Sequence, residues 1–87
     1  MTVGRKAYVR VIAEFSEYGV MHPRILYWEN GLPYEIDKVT DVKLAPAFKA
    51  GGIGDRYTIW VKGQQRYLFF ERTDNENGPI GRWFVEI

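Results

Sequence analysis

No cysteine occurs among the 87 residues, which excludes disulfides and thiolate metal sites. That composition fits a reducing compartment. Histidine occurs once, as His22 in front of Pro23. Zinc needs three or four suitable ligands, so His22 reads as an exposed loop residue. The run Asp74-Asn75-Glu76-Asn77-Gly78 invites calcium, but the loop pattern wants glycine sixth and glutamate twelfth. Pro79 and Val85 stand there, so no metal and no cofactor is implied. Serine also occurs once, as Ser16, in a turn and outside any G-x-S-x-G context. Charge of one sign is missing too: twelve Lys and Arg meet eleven Asp and Glu, a net +1. A strongly basic domain would have argued for nucleic acid, and this is not one. No apolar run approaches the roughly 20 residues of a membrane span. AYVRVIAEF follows Arg5 and Lys6 but is broken by Arg10 and Glu14, so it reads as a strand and not as a signal-peptide core. The expectation is a cytoplasmic protein with no membrane partner.

What is present is aromatic. Three Trp, six Tyr and five Phe, with nine glycines and four prolines, point to strands and turns. A chain this short buries about 60–65% of its unfolded surface, enough for one modest core in a single domain over residues 1–87.

The stretch that organises the chain is DRYTIWVKGQQRYLFFER, Asp55 to Arg72. It reads as a hairpin with Gly63-Gln64 central in a type II′ turn, because the first central position needs φ > 0. That register sets Trp60 against Tyr67 and Tyr57 against Phe70. It also opposes two pairs of unlike charge, Arg56 with Glu71 and Asp55 with Arg72. Side chains alternate faces. Tyr57, Ile59, Val61, Leu68 and Phe70 form a core face. Arg56, Thr58, Trp60, Lys62, Tyr67, Phe69 and Glu71 form the other, too aromatic for an ordinary wet face. Either other parts of the chain cover it, or it is a docking surface.

Residues 1–5 read as a loose arm. Lys6–Phe15 alternates and is a first strand, closed by the turn Ser16–Gly19. Val20–Glu29 is a second strand, starting properly after Pro23. Asn30-Gly31 predicts a type I′ hairpin. It sets Ile25 opposite Ile36 and Arg24 opposite Asp37, with Ile25, Tyr27, Tyr34 and Ile36 in the core. Beyond Ile36 the alternation slips. A β-bulge near Asp37-Lys38 returns Val39 to the core face; a short helix from Lys38 is the competing reading. Pro46 opens at most one helical turn near 45–50, ended by Gly51 or Gly52. Residues 73–81 read as an exposed, mobile loop, and Arg82–Ile87 as the last strand. The fold class is all-β: a small, strongly bent antiparallel sheet or SH3-like barrel of about six strands, which buries aromatic faces and protects edges.

The segments RVIAEF, WENGLPYEIDKVTDV, KAGGIGDRYT, KGQQRYLFFE and GRWFVE follow one another in this order. Together they resemble a family of small bacterial proteins without an assigned activity. Its usual form runs close to WEDGR-YEIDKVLDVR, LKAGG-G-RYT, YLF-E and RWFVE. The match spans about residues 7–86, with Asn30 for the usual Asp and Leu32-Pro33 in place of a polar pair. The resemblance implies a fold and a bacterial cytoplasmic setting, and no chemistry. A fainter likeness, through W-x-x-G-x-x-Y-x-I-x-x-V, is to accessory proteins encoded beside error-prone DNA polymerases.

Candidate sites are few. Glu35 and Asp37 share a strand face, but general acid–base work needs a pocket that shifts one pKa. The partner expected for Asp37 is Arg24, so an enzyme is not expected. Lys49, Gly51, Gly52 and Gly54, flanked by Arg56, could cradle an anion with backbone N–H groups. They match neither G-x-x-x-x-G-K-[ST] nor G-x-G-x-x-G. Trp60, Tyr67 and Phe69, edged by Arg56, Lys62 and Arg66, combine rings with cations as single-strand nucleic-acid binders do. The same six residues would serve protein docking, since Trp, Tyr and Arg dominate hot spots. The leading expectation is a non-catalytic binding module for an unknown protein partner or for itself. Single-stranded nucleic-acid binding is the alternative, and a small enzyme the remote one.

Overall fold

The computed structural model describes residues 5–44, 54–73 and 80–87. Seven strands account for most of them: β1 (Lys6–Phe15), β2 (Met21–Tyr27), β3 (Pro33–Glu35), β4 (Lys38–Lys43), β5 (Asp55–Val61), β6 (Gln64–Arg72) and β7 (Gly81–Glu86). Every pairing is antiparallel, in the order β3-β2-β1-β7-β6-β5-β4. The sheet curls strongly into a half-barrel, the bent all-β architecture expected from the sequence. No helix occurs among the described residues, and none there is long and apolar enough to cross a membrane. The helical turn expected near 45–50 lies outside the described residues.

The strand count is seven because the expected bulged third strand is two strands. The chain leaves β2 and joins β5 within two residues. The Ile36 N–H donates to the Arg24 carbonyl and the Asp37 N–H to the Trp60 carbonyl, each at 2.8 Å. Consecutive amides thus serve opposite edges of one sheet. Val39 reaches the core as expected, but through this switch; the bulge falls later, at Thr40. The helical reading from Lys38 does not hold.

Both hairpins depart from their expected registers. Lys62 and Gly63, with φ of 50° and 74°, occupy the β5–β6 turn, and Val61 stands opposite Gln64. Two consecutive positive φ values make this a type I′ turn, which matches strand twist. The register differs from expectation by two residues, so both face assignments survive while every opposed pair changes. Asp55 faces Phe70, and Arg72 reaches it diagonally with two hydrogen bonds of 2.7 and 3.1 Å. Arg56 faces Phe69, and Glu71 turns to other partners. In the β2–β3 hairpin only Gly31 has positive φ, and its N–H donates to the Trp28 carbonyl at 2.8 Å. The Trp28 N–H donates to the Leu32 carbonyl at 3.0 Å. This is a three-residue loop, a type I turn closed by a left-handed glycine. It slips the pairing by one residue: Leu26 faces Tyr34, and Ile25 faces Glu35. Leu26 replaces Ile25 and Tyr27 in the core, and Arg24 pairs with Glu14 at 2.7 Å instead of with Asp37. Within β2, Arg24 is an extra residue between the Pro23–Ala13 and Ile25–Ile12 pairs. That bulge lets Pro23 and Leu26 both point inward, despite their odd separation.

The concave core gathers Ala7, Leu26, Ile36, Tyr57, Ile59, Leu68, Phe70 and Val85. Tyr57 packs its ring on Trp83, centroids 5.2 Å apart. Arg5, expected in the loose arm, exchanges both backbone hydrogen bonds with Ile87 at 3.0 Å.

Candidate functional site

Alternation along β5 and β6 splits the six candidate residues between two surfaces. Arg56, Trp60, Tyr67 and Phe69 belong to the convex face, while Lys62 lies in the turn, past the end of β5. Arg66, opposite Ile59, belongs to the concave one.

The convex face is largely occupied by the protein itself. Phe69 is buried and stacks on Phe84, ring centroids 4.9 Å apart and planes within 5°. Phe84 is fully buried and meets Tyr8 edge-on at 6.0 Å. Cations cap the rings: Lys6 over Phe84 at 4.8 Å, Arg56 over Tyr67 at 4.6 Å, Lys38 over Trp60 at 5.1 Å and Arg82 over Tyr8 at 4.1 Å. A guanidinium or ammonium over a ring face is held by the ring quadrupole. Glu71 collects the charges at the centre of this row. It accepts from the Tyr8 hydroxyl at 2.8 Å and from Lys6 at 3.2 Å, with Arg82 at 3.7 Å. The Tyr8 hydrogen bond, aided by Lys6 and Arg82, holds its carboxyl below the usual carboxylate range. The Nε of Arg56 is buried without a hydrogen-bond partner. Tyr67, 45% exposed, is the most open ring of the candidate set, and Trp60 is half-buried.

The concave side is different. A cleft of about 590 Å³ opens between the β5–β6 turn and the β2–β3 hairpin. Leu26, Trp28, Tyr34, Ile59, Val61 and Val85 form its apolar walls. Its rim carries Lys62, Gln64, Gln65, Arg66 and Glu86. Lys62 lies 5.6 Å from the Tyr34 ring centroid and so spans the mouth. Arg66 donates to the Gln64 side chain at 2.7 Å. Alternation explains the polar rim: Gln64 and Arg66 are the concave-facing residues of β6 nearest the turn, where the half-barrel ends. Of the candidate set, Lys62, Arg66, Tyr67 and Phe69 border this cleft; Trp60 and Arg56 do not. Tyr34 escaped the sequence reading as a site residue because inward alternation assigned it to the core, and Trp28 because the expected hairpin register set it on the other face, away from Tyr27 and Tyr34. The signal available was their place beside a turn, where an open barrel has nothing to cover them.

The remaining candidates stay apart. Gly54 (φ 94°) sits where an added Cβ would lie 2.8 Å from the Phe70 carbonyl oxygen, so it serves a close backbone pass. Lys49, Gly51 and Gly52 lie outside the described residues. The Ser16 hydroxyl accepts from the Tyr18 and Val20 amides at 3.2 and 3.1 Å, which is turn-capping work. His22 is on β2 opposite Glu14, not in the loop entry expected for it. Glu35 and Asp37 are exposed. Burial, with the Asp55 charge second, raises the Tyr57 hydroxyl above its ordinary pKa. Among the described residues no three His, Asp or Glu side chains gather as a metal would require. No protein-family model matches the chain, and no curated protein or solved structure matches it.

Proposed function

We infer that the protein is a non-catalytic binding module that takes an extended apolar segment of another protein into the concave cleft. The observation that carries this reading is the cleft itself. Aromatic and aliphatic walls around a few polar groups are the usual make-up of a recognition site. Trp28 and Tyr34 supply the large, rigid contact surface typical of hot spots. Lys62 and Arg66 outnumber Glu86 at the rim, which favours a segment bearing an acidic residue beside its apolar ones. On the convex face the stacking surface that single-stranded nucleic acid needs is reduced, because Phe69 is buried and the other rings carry the protein's own cations. The resemblance of the WENGLPYEIDKV and GRWFVE segments adds a bacterial cytoplasm as the setting.

The test is selection of displayed random peptides on the purified protein, followed by an amide-resolved NMR titration with the enriched peptide. Shifts should cluster on Leu26, Trp28, Tyr34, Val61 and Gln64, and Trp28→Ala should weaken binding at least tenfold. A parallel titration with a mixed-sequence single-stranded oligonucleotide separates the alternative. Shifts at Arg56, Trp60 and Tyr67 that vanish with added salt, with no peptide enriched, would overturn the protein-binding reading.

A further inference from the structure

The turn between β1 and β2 presents an apolar tip. Phe15, Tyr18 and Val20 are 62%, 84% and 50% exposed, and they stand together where β1 passes into β2. Glu17, also exposed, sits among them. The tip is well fixed. The Ser16 N–H donates to the Val20 carbonyl at 2.8 Å and the Gly19 N–H to the Ser16 carbonyl at 3.0 Å. The Ser16 hydroxyl accepts from the Tyr18 and Val20 amides, and Gly19 takes the left-handed φ of 80° that closes the turn. Exposed rings elsewhere differ, since Tyr8 and Tyr67 lie on the convex sheet face beneath Arg82 and Arg56. Single exposed apolar residues need no explanation, but three on one ordered turn make a patch that can enter a cavity.

We propose that the concave cleft takes this tip from a second copy of the chain, with β1 and β2 as its extended arms. The proposal rests on the cleft being the binding site and names its partner. The chemistry of the two surfaces is complementary. Leu26, Trp28, Tyr34 and Val61 offer Tyr18 and Val20 an apolar, aromatic lining. At the rim Lys62 and Arg66 outnumber Glu86, and Glu17 brings an acid directly beside Tyr18. The cleft, about 590 Å³, has room for a tyrosine ring and its neighbours, since pockets of about 300–1,000 Å³ hold whole small ligands. A turn already fixed by its own hydrogen bonds loses little freedom on docking. The tip cannot fill its own cleft. Two of the walls, Val85 and Leu26, lie beside β1 at Ala7 and Val11. The turn begins at Ser16, about 16 Å farther along a continuous strand. The contact therefore runs between copies. Cleft and tip are different surfaces, so it is heterologous, and each copy can both give a tip and receive one.

Sedimentation equilibrium of the full chain over micromolar to several hundred micromolar protein tests the contact. The expected result is reversible self-association. Tyr18→Asp spoils the tip and leaves the cleft, while Trp28→Ala spoils the cleft and leaves the tip. Each should weaken association about tenfold or more. An equimolar mixture of the two holds one intact tip and one intact cleft per pair, so it should form a 1:1 complex and nothing larger. Far-UV circular dichroism identifies any variant that fails to fold. Arg66→Glu, at an exposed rim position, replaces Trp28→Ala as the cleft variant if that one does. A wild type that stays monomeric throughout overturns the proposal. So does association indifferent to the tip and cleft substitutions, or a mixture no tighter than its components. The two readings of the cleft fail separately. A monomer whose cleft amides shift with a selected peptide keeps the binding module and overturns self-recognition. Cleft amides that answer neither a second copy nor a peptide overturn both.

Discussion

Replacing Gly81 with alanine tests how tightly β7 lies on β6. A Cβ there would sit 2.5 Å from Cζ and 2.8 Å from Cε2 of Phe70, and 2.6 Å from the Glu71 carbonyl oxygen. Ordinary contacts run near 3.5–4.0 Å, so the methyl demands a displacement of about 1 Å on two sides. Neither neighbour yields easily. Phe70 is buried against Trp83, centroids 4.8 Å apart, and the Glu71 carbonyl belongs to a strand paired with β7. Overpacking of this kind costs about 1–3 kcal/mol. Reduced freedom of the unfolded chain returns about 0.4–1 kcal/mol. The net loss is then about 1–2 kcal/mol. With a urea m value of about 1 kcal/mol/M for so small a chain, the unfolding midpoint should fall by about 1–2 M. Phe70→Leu in the same chain removes the ring overlap and leaves the carbonyl one. Gly81→Ala should therefore cost less in that background, by about 0.5 kcal/mol or more. An unchanged or raised midpoint for Gly81→Ala alone would show that space is not what requires glycine here.

Lys62→Asn should raise the melting temperature, since Asn accepts the left-handed backbone that Lys62 adopts at φ 50°. A gain of about 0.5–1 kcal/mol corresponds to a rise of a few degrees. Phe69→Ala should destabilise by about 3–5 kcal/mol in urea titrations, because the ring is buried on Phe84; a purely docking residue would leave stability unchanged. Glu71→Gln should lower stability at neutral pH. The folded pKa of Glu71 is depressed, so its stabilisation is present above the unfolded carboxylate value near 4.5 and is lost as pH falls through the folded value. The gap between variant and wild type in thermal melts should accordingly close as the pH drops below about 4. Asp55→Asn should cost about 1.5 kcal/mol, as the two-bond contact to the half-exposed Arg72 loses its charge.

The hairpins show what hydrophobic alternation can and cannot specify. A two-residue shift returns every side chain to its own face, so the pattern in β5 and β6 could not distinguish Gly63-Gln64 from Lys62-Gly63 as the turn. The faces were legible and the pairs were not. In the β2–β3 hairpin the dipeptide Asn30-Gly31 pointed to a two-residue turn. Instead Asn30 accepts the Leu32 N–H through its side chain at 3.0 Å and leaves Gly31 as the only left-handed residue. That local bond moved the register by one and exchanged Ile25 and Tyr27 for Leu26. The switch at Ile36 and Asp37 was invisible to periodicity because it depends on where two edges of a curled sheet meet. For the same reason the cleft was hidden: Tyr34 and Val61 have core-like spacing, the expected register turned Trp28 to the other face, and only the openness of the half-barrel exposes them.

One property of the strand order bears on how the chain assembles. Every pairing joins sequence neighbours except β1 with β7, where Ala7 meets Val85 near the middle of the sheet. The protein is therefore two local meanders, β1-β2-β3 and β4-β5-β6-β7, zipped along one distant seam. Each meander closes through connections of at most eleven residues, 44–54 being the longest, while the seam must bring together the most remote parts of the chain. Loop entropy places that step late and makes it slow. The Ile36–Asp37 crossover acts as a hinge between the halves, already fastened to both before the zip closes. In native-state hydrogen exchange, the amides of Ala7, Val9 and Val85 should report opening of the seam as a unit distinct from the hairpins.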